Sequence, residues 1–127
     1  MKLLRHILLC GCSAVLCGCG NPGSAIANVP GNAQIDLDAT VLIDVRSADE
    51  YASGHLQGAV NIPHDRITDE IGTVAADKST RIILYCRSGR RADTALNALK
   101  AAGYENVSNY GGLEDAQMRL ALPVISE

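Results

Sequence analysis

The sequence predicts a single α/β domain in which parallel strands lie between layers of helices. With 127 residues the chain is too short for two ordinary domains. From about Ala33 onward, short apolar runs alternate with segments of helical periodicity. Such alternation is typical of parallel strands joined by right-handed helical crossovers. In sheets of this kind ligands bind outside the carboxyl ends of the strands, and those ends are where we expect the functional residues.

The first half of the domain contains three strand candidates. A weak one lies near Ile35, and the β-branched run VLIDV at 41–45 is typical of a buried strand. Ser47 and Glu50 then have the S-x-x-E spacing of a capping box, which predicts the start of a short helix. The segment GAVNIP at 58–63 is the third candidate.

The second half begins with a predicted helix over residues 65–74. RIILY at 81–85 is the strongest strand signal of the chain, and the helix that follows it is expected to end at Gly103. NVSNY at 106–110 predicts the last strand, after which a helix runs to about Leu120. The helix before Gly103 places apolar side chains at helical spacing, at Ala92, Ala95, Leu96, Leu99 and Ala102.

Residues 1–19 have the composition of an export signal. Lys2 and Arg5 precede an apolar run from Ile7 to Cys17, which is too short to span a membrane. Four of the five cysteines lie in this segment, so the folded domain keeps Cys86 alone. A lone cysteine in an exported domain cannot form an internal disulfide and is a free thiol.

Two interpretations of the end of this signal stay open. The sequence Leu16-Cys17-Gly18-Cys19 resembles a lipoprotein box in which Cys19 would carry the lipid, whereas Ala25-Ile26-Ala27 fits ordinary signal peptidase, with cleavage after residue 27. Residues 20–33 are rich in Gly, Pro and Asn and predict a flexible linker to a folded domain over 34–127. Both interpretations predict an exported, periplasmic domain that meets the membrane only through a lipid anchor.

The charge balance excludes nucleic acid as a partner. Lys2 and Arg5 belong to the signal, which leaves nine basic side chains against fourteen acidic ones. Against this acidic background the segment YCRSGRR at 85–91 places three arginines beside the only cysteine of the domain. We expect no metal or organic cofactor and a monomeric protein.

The loop after Cys86 has three sources of positive potential. A short loop containing Gly89 can turn its backbone N–H groups inward as an anion-binding nest. The helix that begins near Arg90 directs its N-terminus to the same place. Arg87, Arg90 and Arg91 add full charges. Positive potential raises the thiolate share of a cysteine and attracts an anionic substrate, so Cys86 is the predicted nucleophile.

These segments resemble the rhodaneses, which are thiosulfate:cyanide sulfurtransferases. The resemblance lies in VLIDVRSADEYASGHLQGAVNIP at 41–63 and IILYCRSGRRADTALNALKAAGYENVSNYGGL at 82–113. Its two specific motifs are DVRSADEYASGHLQGAVNIP at 44–63 and CRSGRR at 86–91, and it is closest to the small periplasmic rhodaneses of the phage-shock type. It implies a three-layer α/β/α fold with a five-stranded parallel sheet. It further implies that Cys86 takes the outer sulfur of thiosulfate as a persulfide, which then passes to cyanide or another thiophilic acceptor.

The resemblance assigns roles to the neighbours of Cys86. Arg87 and Arg90 are expected to bind the anionic substrate, Arg91 to close the loop, and Ser88 and Gly89 to contribute backbone N–H groups. Three supporting residues are predicted outside the loop: Asp44 orients a loop arginine or a backbone N–H, Arg46 is structural or paired with Glu50, and His55 holds its own loop.

Loop length separates the competing functions. Related phosphatases and arsenate reductases use C-x5-R, whereas Cys86 to Arg91 is C-x4-R and the longer spacing would fall on Ala92. The shorter loop favours sulfur transfer. A persulfide carrier with little turnover of its own remains the alternative. One departure concerns Ala116, because family members often have a tryptophan there; the difference is expected to change the pocket wall and hence acceptor preference.

Overall fold

The architecture is described over residues 35–127 of a computed structural model of the chain. Four parallel strands form the central sheet in the spatial order β3-β1-β4-β5. They are β1 (Thr40–Asp44), β3 (Val60–Asn61), β4 (Arg81–Cys86) and β5 (Val107–Gly112). A separate two-stranded sheet pairs β2 (His55–Leu56) antiparallel with β6 (Val124–Ile125).

Within residues 35–127, four α-helices accompany the strands. They are α1 (Ala48–Ser53), α2 (Ile67–Glu70), α3 (Arg90–Ala101) and α4 (Leu113–Leu120), and a single 3-10 turn (Ile71–Thr73) continues α2. The predicted capping box is confirmed at α1, where Ser47 accepts from the Glu50 backbone and the Glu50 carboxylate accepts from the Ser47 N–H. Gly103 follows α3 with φ +97°, a conformation that favours glycine over residues with a Cβ.

Alternation along the strands divides the core into two clusters, one on each face of the sheet. In β4 the side chains of Ile82, Leu84 and Cys86 face one cluster, whereas Ile83 and Tyr85 face the other. The first cluster is completed by α2 and α3 and the second by α1 and α4. The three-layer α/β/α fold is therefore confirmed.

The number of strands differs from the prediction. Within residues 35–127 the parallel sheet has four strands, and Ile35 lies outside any strand. The predicted strand at 58–63 shortens to Val60–Asn61, although the backbone N–H groups of Ile62 and His64 still donate to the carbonyls of Asp44 and Val45. The signal, the linker and Cys19 lie outside the described residues. Among the described helices, none is long and apolar enough to cross a bilayer.

The topology brings the site to one edge. β1 and β4 are neighbours, with Asp44 opposite Tyr85 in register. Because parallel strands end at the same side of a sheet, the residues after β1, β3, β4 and β5 lie around a common edge. Cys86, at the end of β4, therefore lies between the segment that follows β1 and the segment that follows β5.

Candidate active site

Cys86 is the last residue of β4, and its side chain is completely buried, with 0% exposure. Its Sγ accepts a hydrogen bond from the backbone N–H of Gly89 at 2.9 Å. Gly89 has φ +88°, which glycine adopts without strain and which turns the chain back over the sulfur. The loop therefore directs at least one amide dipole at the sulfur, as the nest interpretation predicts.

Three loop side chains lie in solvent. Arg87, Ser88 and Arg90 are exposed, and neither arginine forms an ion pair with any residue in 35–127. Helix α3 begins at Arg90 and has no side-chain cap. The mouth of the loop thus combines a helix N-terminus with two charged guanidinium groups, a combination suited to an anion.

Arg91 connects the loop to helix α1. Its guanidinium donates Nη1 to Glu50 Oε2 at 2.7 Å and Nη2 to Glu50 Oε1 at 3.0 Å, a bidentate pair. The hydrogen bond from Arg91 lowers the pKa of Glu50 to about 2, and Glu50 in turn raises the pKa of Arg91. The prediction that Arg46 pairs with Glu50 is wrong, because Arg91 occupies that carboxylate.

Arg46 instead pairs with Asp44. Its Nη2 lies 2.7 Å from Oδ2, its Nε donates to both carboxylate oxygens at 3.0 Å, and its backbone N–H donates to Oδ1 at 2.9 Å. The same Nη2 also donates to the carbonyl of Gly54. Burial by itself would lower the pKa of the Arg46 guanidinium. The hydrogen bonds and the negative charge of Asp44 outweigh burial, so the pKa of Arg46 is raised. Of the two predicted partners of Asp44, the backbone N–H agrees with the structure, as that of Arg46, whereas an arginine of the loop after Cys86 does not.

A layer of buried polar contacts lies on the α1 side of the sheet. The hydroxyl of Tyr85 accepts the backbone N–H of Leu56 at 3.0 Å, and burial raises the pKa of Tyr85. His55 is buried, its Nδ1 lies 2.8 Å from the Tyr51 carbonyl oxygen, and its ring stacks on Tyr51 with 3.7 Å between centroids. The geometry of His55 agrees with a role in holding its own loop.

The segment Asn109-Tyr110-Gly111-Gly112 forms a second wall beside the loop, which the sequence did not predict. Asn109 Nδ2 donates to the Gly89 carbonyl at 2.9 Å, and Asn109 Oδ1 accepts the Gly111 N–H at 2.8 Å. A Cβ on Gly112 would lie 2.6 Å from the Arg87 carbonyl oxygen. The paired glycines at the end of a strand were the available signal, since close backbone approach requires glycine.

An open cleft of about 470 Å³ lies next to this wall. Arg87 and Gly112 belong to its lining, and the side chains of Glu114 and Asp115 bring acidic groups from the first turn of α4. Ala116 is not part of the cleft: it is fully buried in the second core cluster with Leu42 and Ile83. Its small size therefore affects core packing, and a change in the pocket wall relative to family members with a tryptophan stays a prediction.

Comparison with known proteins agrees with this geometry. The family model for the rhodanese-like domain matches residues 31–118. The chain belongs to the rhodanese-like domain family. The rhodanese-like match includes all four strands of the central sheet and the loop after Cys86.

Individual rhodanese relatives cover most of the described domain. A protein named thiosulfate sulfurtransferase PspE, from Escherichia coli, is 41% identical over 76 residues, which are 60% of this chain and 73% of that protein. A putative mitochondrial thiosulfate sulfurtransferase from Schizosaccharomyces pombe is 35% identical over 85 residues. That alignment covers 58% of this chain and 60% of the yeast protein, so the chain spans less than two thirds of its length.

Solved structures show the same fold. A rhodanese with anions from E. coli superposes with a TM-score of 0.64 at 37% identity, covering 70% of this chain and 100% of that one. A thiosulfate sulfurtransferase from Pseudomonas aeruginosa gives a TM-score of 0.63 at 28% identity, covering 69% of this chain and 17% of that one. Among residues 35–127, no three His, Cys, Asp or Glu side chains are grouped to hold a metal ion.

Proposed function

We propose that this rhodanese transfers the outer sulfur of thiosulfate, or of a similar donor, to a thiophilic acceptor through a persulfide on Cys86. Sulfurtransferase activity in general is supported by membership of the family and by the relatives named thiosulfate sulfurtransferase. The observation that carries the persulfide step is the hydrogen bond from the Gly89 N–H to Sγ. A sulfur that accepts amide N–H donors is stabilised as an anion, both as thiolate and as persulfide.

The first half-reaction conserves sulfur and charge. The Cys86 thiolate attacks the outer sulfur of thiosulfate, the sulfur–sulfur bond of thiosulfate breaks, and sulfite leaves with the bonding electron pair. Arg87 and Arg90 are exposed at the loop mouth and supply the positive charge that binds the donor. Because Cys86 is 0% exposed, the loop has to open outward to admit the outer sulfur.

The second half-reaction regenerates the thiolate. A nucleophilic acceptor such as cyanide attacks the terminal sulfur of the persulfide, and thiocyanate leaves while Cys86 returns to its starting state. The cycle is ping-pong with one covalent intermediate. It requires no metal or organic cofactor, because both transfers are displacements at sulfur.

We place the reaction in the periplasm on the composition of residues 1–19, which lie outside the described structure. Lipidation at Cys19 and cleavage after residue 27 remain the two proposed ends of the signal. Intact-mass spectrometry of the protein isolated from cells distinguishes them, because the lipid adds a large mass to a chain that begins at Cys19.

The decisive experiment treats the purified mature protein with thiosulfate and measures its intact mass. The proposal expects a gain of one sulfur atom that is absent in Cys86→Ser and that disappears on addition of cyanide, with release of thiocyanate. If thiocyanate forms no faster than with a free thiol while the sulfur is still gained, the protein is a persulfide carrier. If no sulfur is gained, the persulfide mechanism is excluded.

A phosphatase control addresses the related chemistry. The C-x4-R spacing from Cys86 to Arg91 predicts that aryl phosphates are not hydrolysed. Release of phosphate from an aryl phosphate by the wild type, lost in Cys86→Ser, would contradict the assignment to sulfur transfer.

A further inference from the structure

The side chain of Asn109 bridges the loop after Cys86 and the glycine pair that follows β5. Its Nδ2 donates to the Gly89 carbonyl at 2.9 Å and its Oδ1 accepts the Gly111 N–H at 2.8 Å. The orientation of the amide is determined by these partners, since the reversed amide would oppose oxygen to oxygen and N–H to N–H. Asn109 is therefore a specific connection between the two walls of the site.

Gly89 is the residue that connects this bridge to the sulfur. Its N–H donates to Cys86 Sγ at 2.9 Å, while its carbonyl accepts both Asn109 Nδ2 and, at 2.9 Å, the Asp93 N–H in the first turn of α3. Glycine has no Cβ and can therefore adopt many backbone conformations; in this loop Gly89 has φ +88°. Contacts with other residues are therefore needed to hold Gly89 in the conformation in which its N–H donates to Cys86 Sγ.

The two contacts at the Gly89 carbonyl, from Asn109 and from the Asp93 N–H, together determine the direction of the next amide. The described residues contain no cis peptide, so the peptide between Gly89 and Arg90 is trans, and its C=O and N–H point in opposite directions. Holding the Gly89 carbonyl against Asn109 therefore turns the Arg90 N–H away from Asn109. Within residues 35–127 that N–H has no acceptor, and it remains available to an anion at the mouth of the loop.

We infer that Asn109 is a positioning residue of the reaction: it holds the Gly89 backbone so that the loop amides face the sulfur of Cys86 and its anionic forms. The inference rests on the proposed function in that it takes Cys86 as the nucleophile. The contact itself comes from β5, outside the two specific motifs at 44–63 and 86–91. It assigns the Asn-x-Gly-Gly segment a part in the chemistry that sequence spacing did not suggest.

The experiment compares Asn109→Ala and Asn109→Asp with the wild type by the rate at which iodoacetamide alkylates Cys86 across a pH series. The rate is followed on the Cys86 peptide by mass spectrometry, in the mature protein. Asn109→Asp keeps an acceptor for Gly111 but removes the donor to Gly89, and Asn109→Ala removes both without adding charge. Asn106→Asp is the matched control, because Asn106 is exposed just before β5 and makes no side-chain contact with the loop.

We expect both Asn109 variants to lower the alkylation rate at neutral pH about threefold to tenfold, the range for loss of one net hydrogen bond. The limiting rate at high pH, where the thiol is fully ionised, reports how readily the loop opens over the buried sulfur, so each neutral-pH rate is taken relative to the limiting rate of the same variant. A merely structural role would lower stability and leave this pH profile as it is in the wild type. An unchanged profile in Asn109→Ala, or a change in Asn109→Asp alone, would overturn the inference, the latter because it reports only added charge.

A measurement on the wild type covers the case in which the Asn109 variants do not fold. Alkylation of Cys86 converts the sulfur that the Gly89 N–H faces into a neutral thioether, so the side-chain amide NMR signals of Asn109 should shift while those of Asn106 stay in place. If the signals of neither asparagine shift, the contact between Asn109 and Gly89 does not depend on the state of the sulfur, and the inference fails. Alkylation needs no sulfur donor, so these results are independent of whether the protein transfers sulfur.

Discussion

The carboxylate of Asp44 and the guanidinium of Arg46 form a buried ion pair 2.7 Å long, with side-chain exposures of 0% and 7%. Asp44 ends β1 and Arg46 lies two residues later, so the pair closes the end of the central strand beside β4. The carboxylate accepts from the side chain and the backbone N–H of Arg46, and Arg46 Nη2 also donates to the Gly54 carbonyl. The pair lies at the same edge of the sheet as Cys86, since Asp44 is opposite Tyr85 in register.

Breaking this pair from one side should be costly. In Asp44→Asn the buried guanidinium of Arg46 loses its counter-charge, and such a loss destabilises a protein by about 3–5 kcal/mol. Glu70→Gln is the control, because the pair between Arg66 and Glu70 is largely exposed, at 65% and 33%; such a pair contributes at most about 1 kcal/mol. Urea unfolding measures both, and equal losses would contradict the buried-pair interpretation.

The pair between Arg91 and Glu50 predicts a pH dependence of stability. The pKa of Glu50 is about 2 in the folded protein and 4.5 in its unperturbed state. A lowered pKa stabilises the fold above pH 4.5, and this contribution is lost as pH falls from 4.5 to about 2. Thermal unfolding should show that the wild type is more stable than Glu50→Gln above pH 4.5 and that this difference disappears as the pH falls through the interval. A constant difference between the two proteins would be the contrary result.

Close packing at Gly112 predicts a sensitive position. In Gly112→Ala the new Cβ would lie 2.6 Å from the Arg87 carbonyl oxygen, so the loop has to move away from its wall. Displacement of catalytic groups by a fraction of an ångström commonly lowers rates, and we expect a fall of about tenfold or more in thiocyanate formation. Gly72→Ala serves as the control, since nothing lies within 4 Å of its added Cβ, and it should keep full activity.

The hydroxyl of Tyr85 satisfies a buried backbone group. Tyr85→Phe leaves the Leu56 N–H without its 3.0 Å acceptor, which should cost about 1–3 kcal/mol of unfolding free energy. Tyr110→Phe provides the comparison, because Tyr110 is only half-buried and its ring keeps its contact with Arg119. Chemical denaturation should show a larger loss of unfolding free energy in Tyr85→Phe than in Tyr110→Phe. Similar stabilities would mean that Leu56 finds water or another acceptor.

The exposed arginines predict a change in substrate binding. Arg87→Gln and Arg90→Gln should each raise the KM for thiosulfate about tenfold with a smaller effect on kcat, because charge-assisted hydrogen bonds to the donor are lost. Added salt should reduce the difference from the wild type, since it screens exposed charges. Arg81→Gln is the control at the opposite end of β4. A KM that is equally raised in Arg81→Gln would show a general charge effect.

The sequence by itself determined the alternation of elements, the position of Cys86 at a strand end and the capping box at Ser47 and Glu50. These features are local, because hydrophobic periodicity and capping depend on residues only a few positions apart. The two motifs added the family and its three-layer fold. Export and lipidation remain predictions, because they concern residues outside the described structure.

Only the tertiary structure decided the partners of the charged residues. Glu50 is close in sequence to Arg46 and distant from Arg91, yet it pairs with Arg91, because the adjacency of β1 and β4 brings α1 to the start of α3. In the same way, the adjacency of β4 and β5 brings Asn109 to Gly89, 20 residues earlier in the chain. Contacts between strands depend on strand order and register, which spacing along one sequence does not contain.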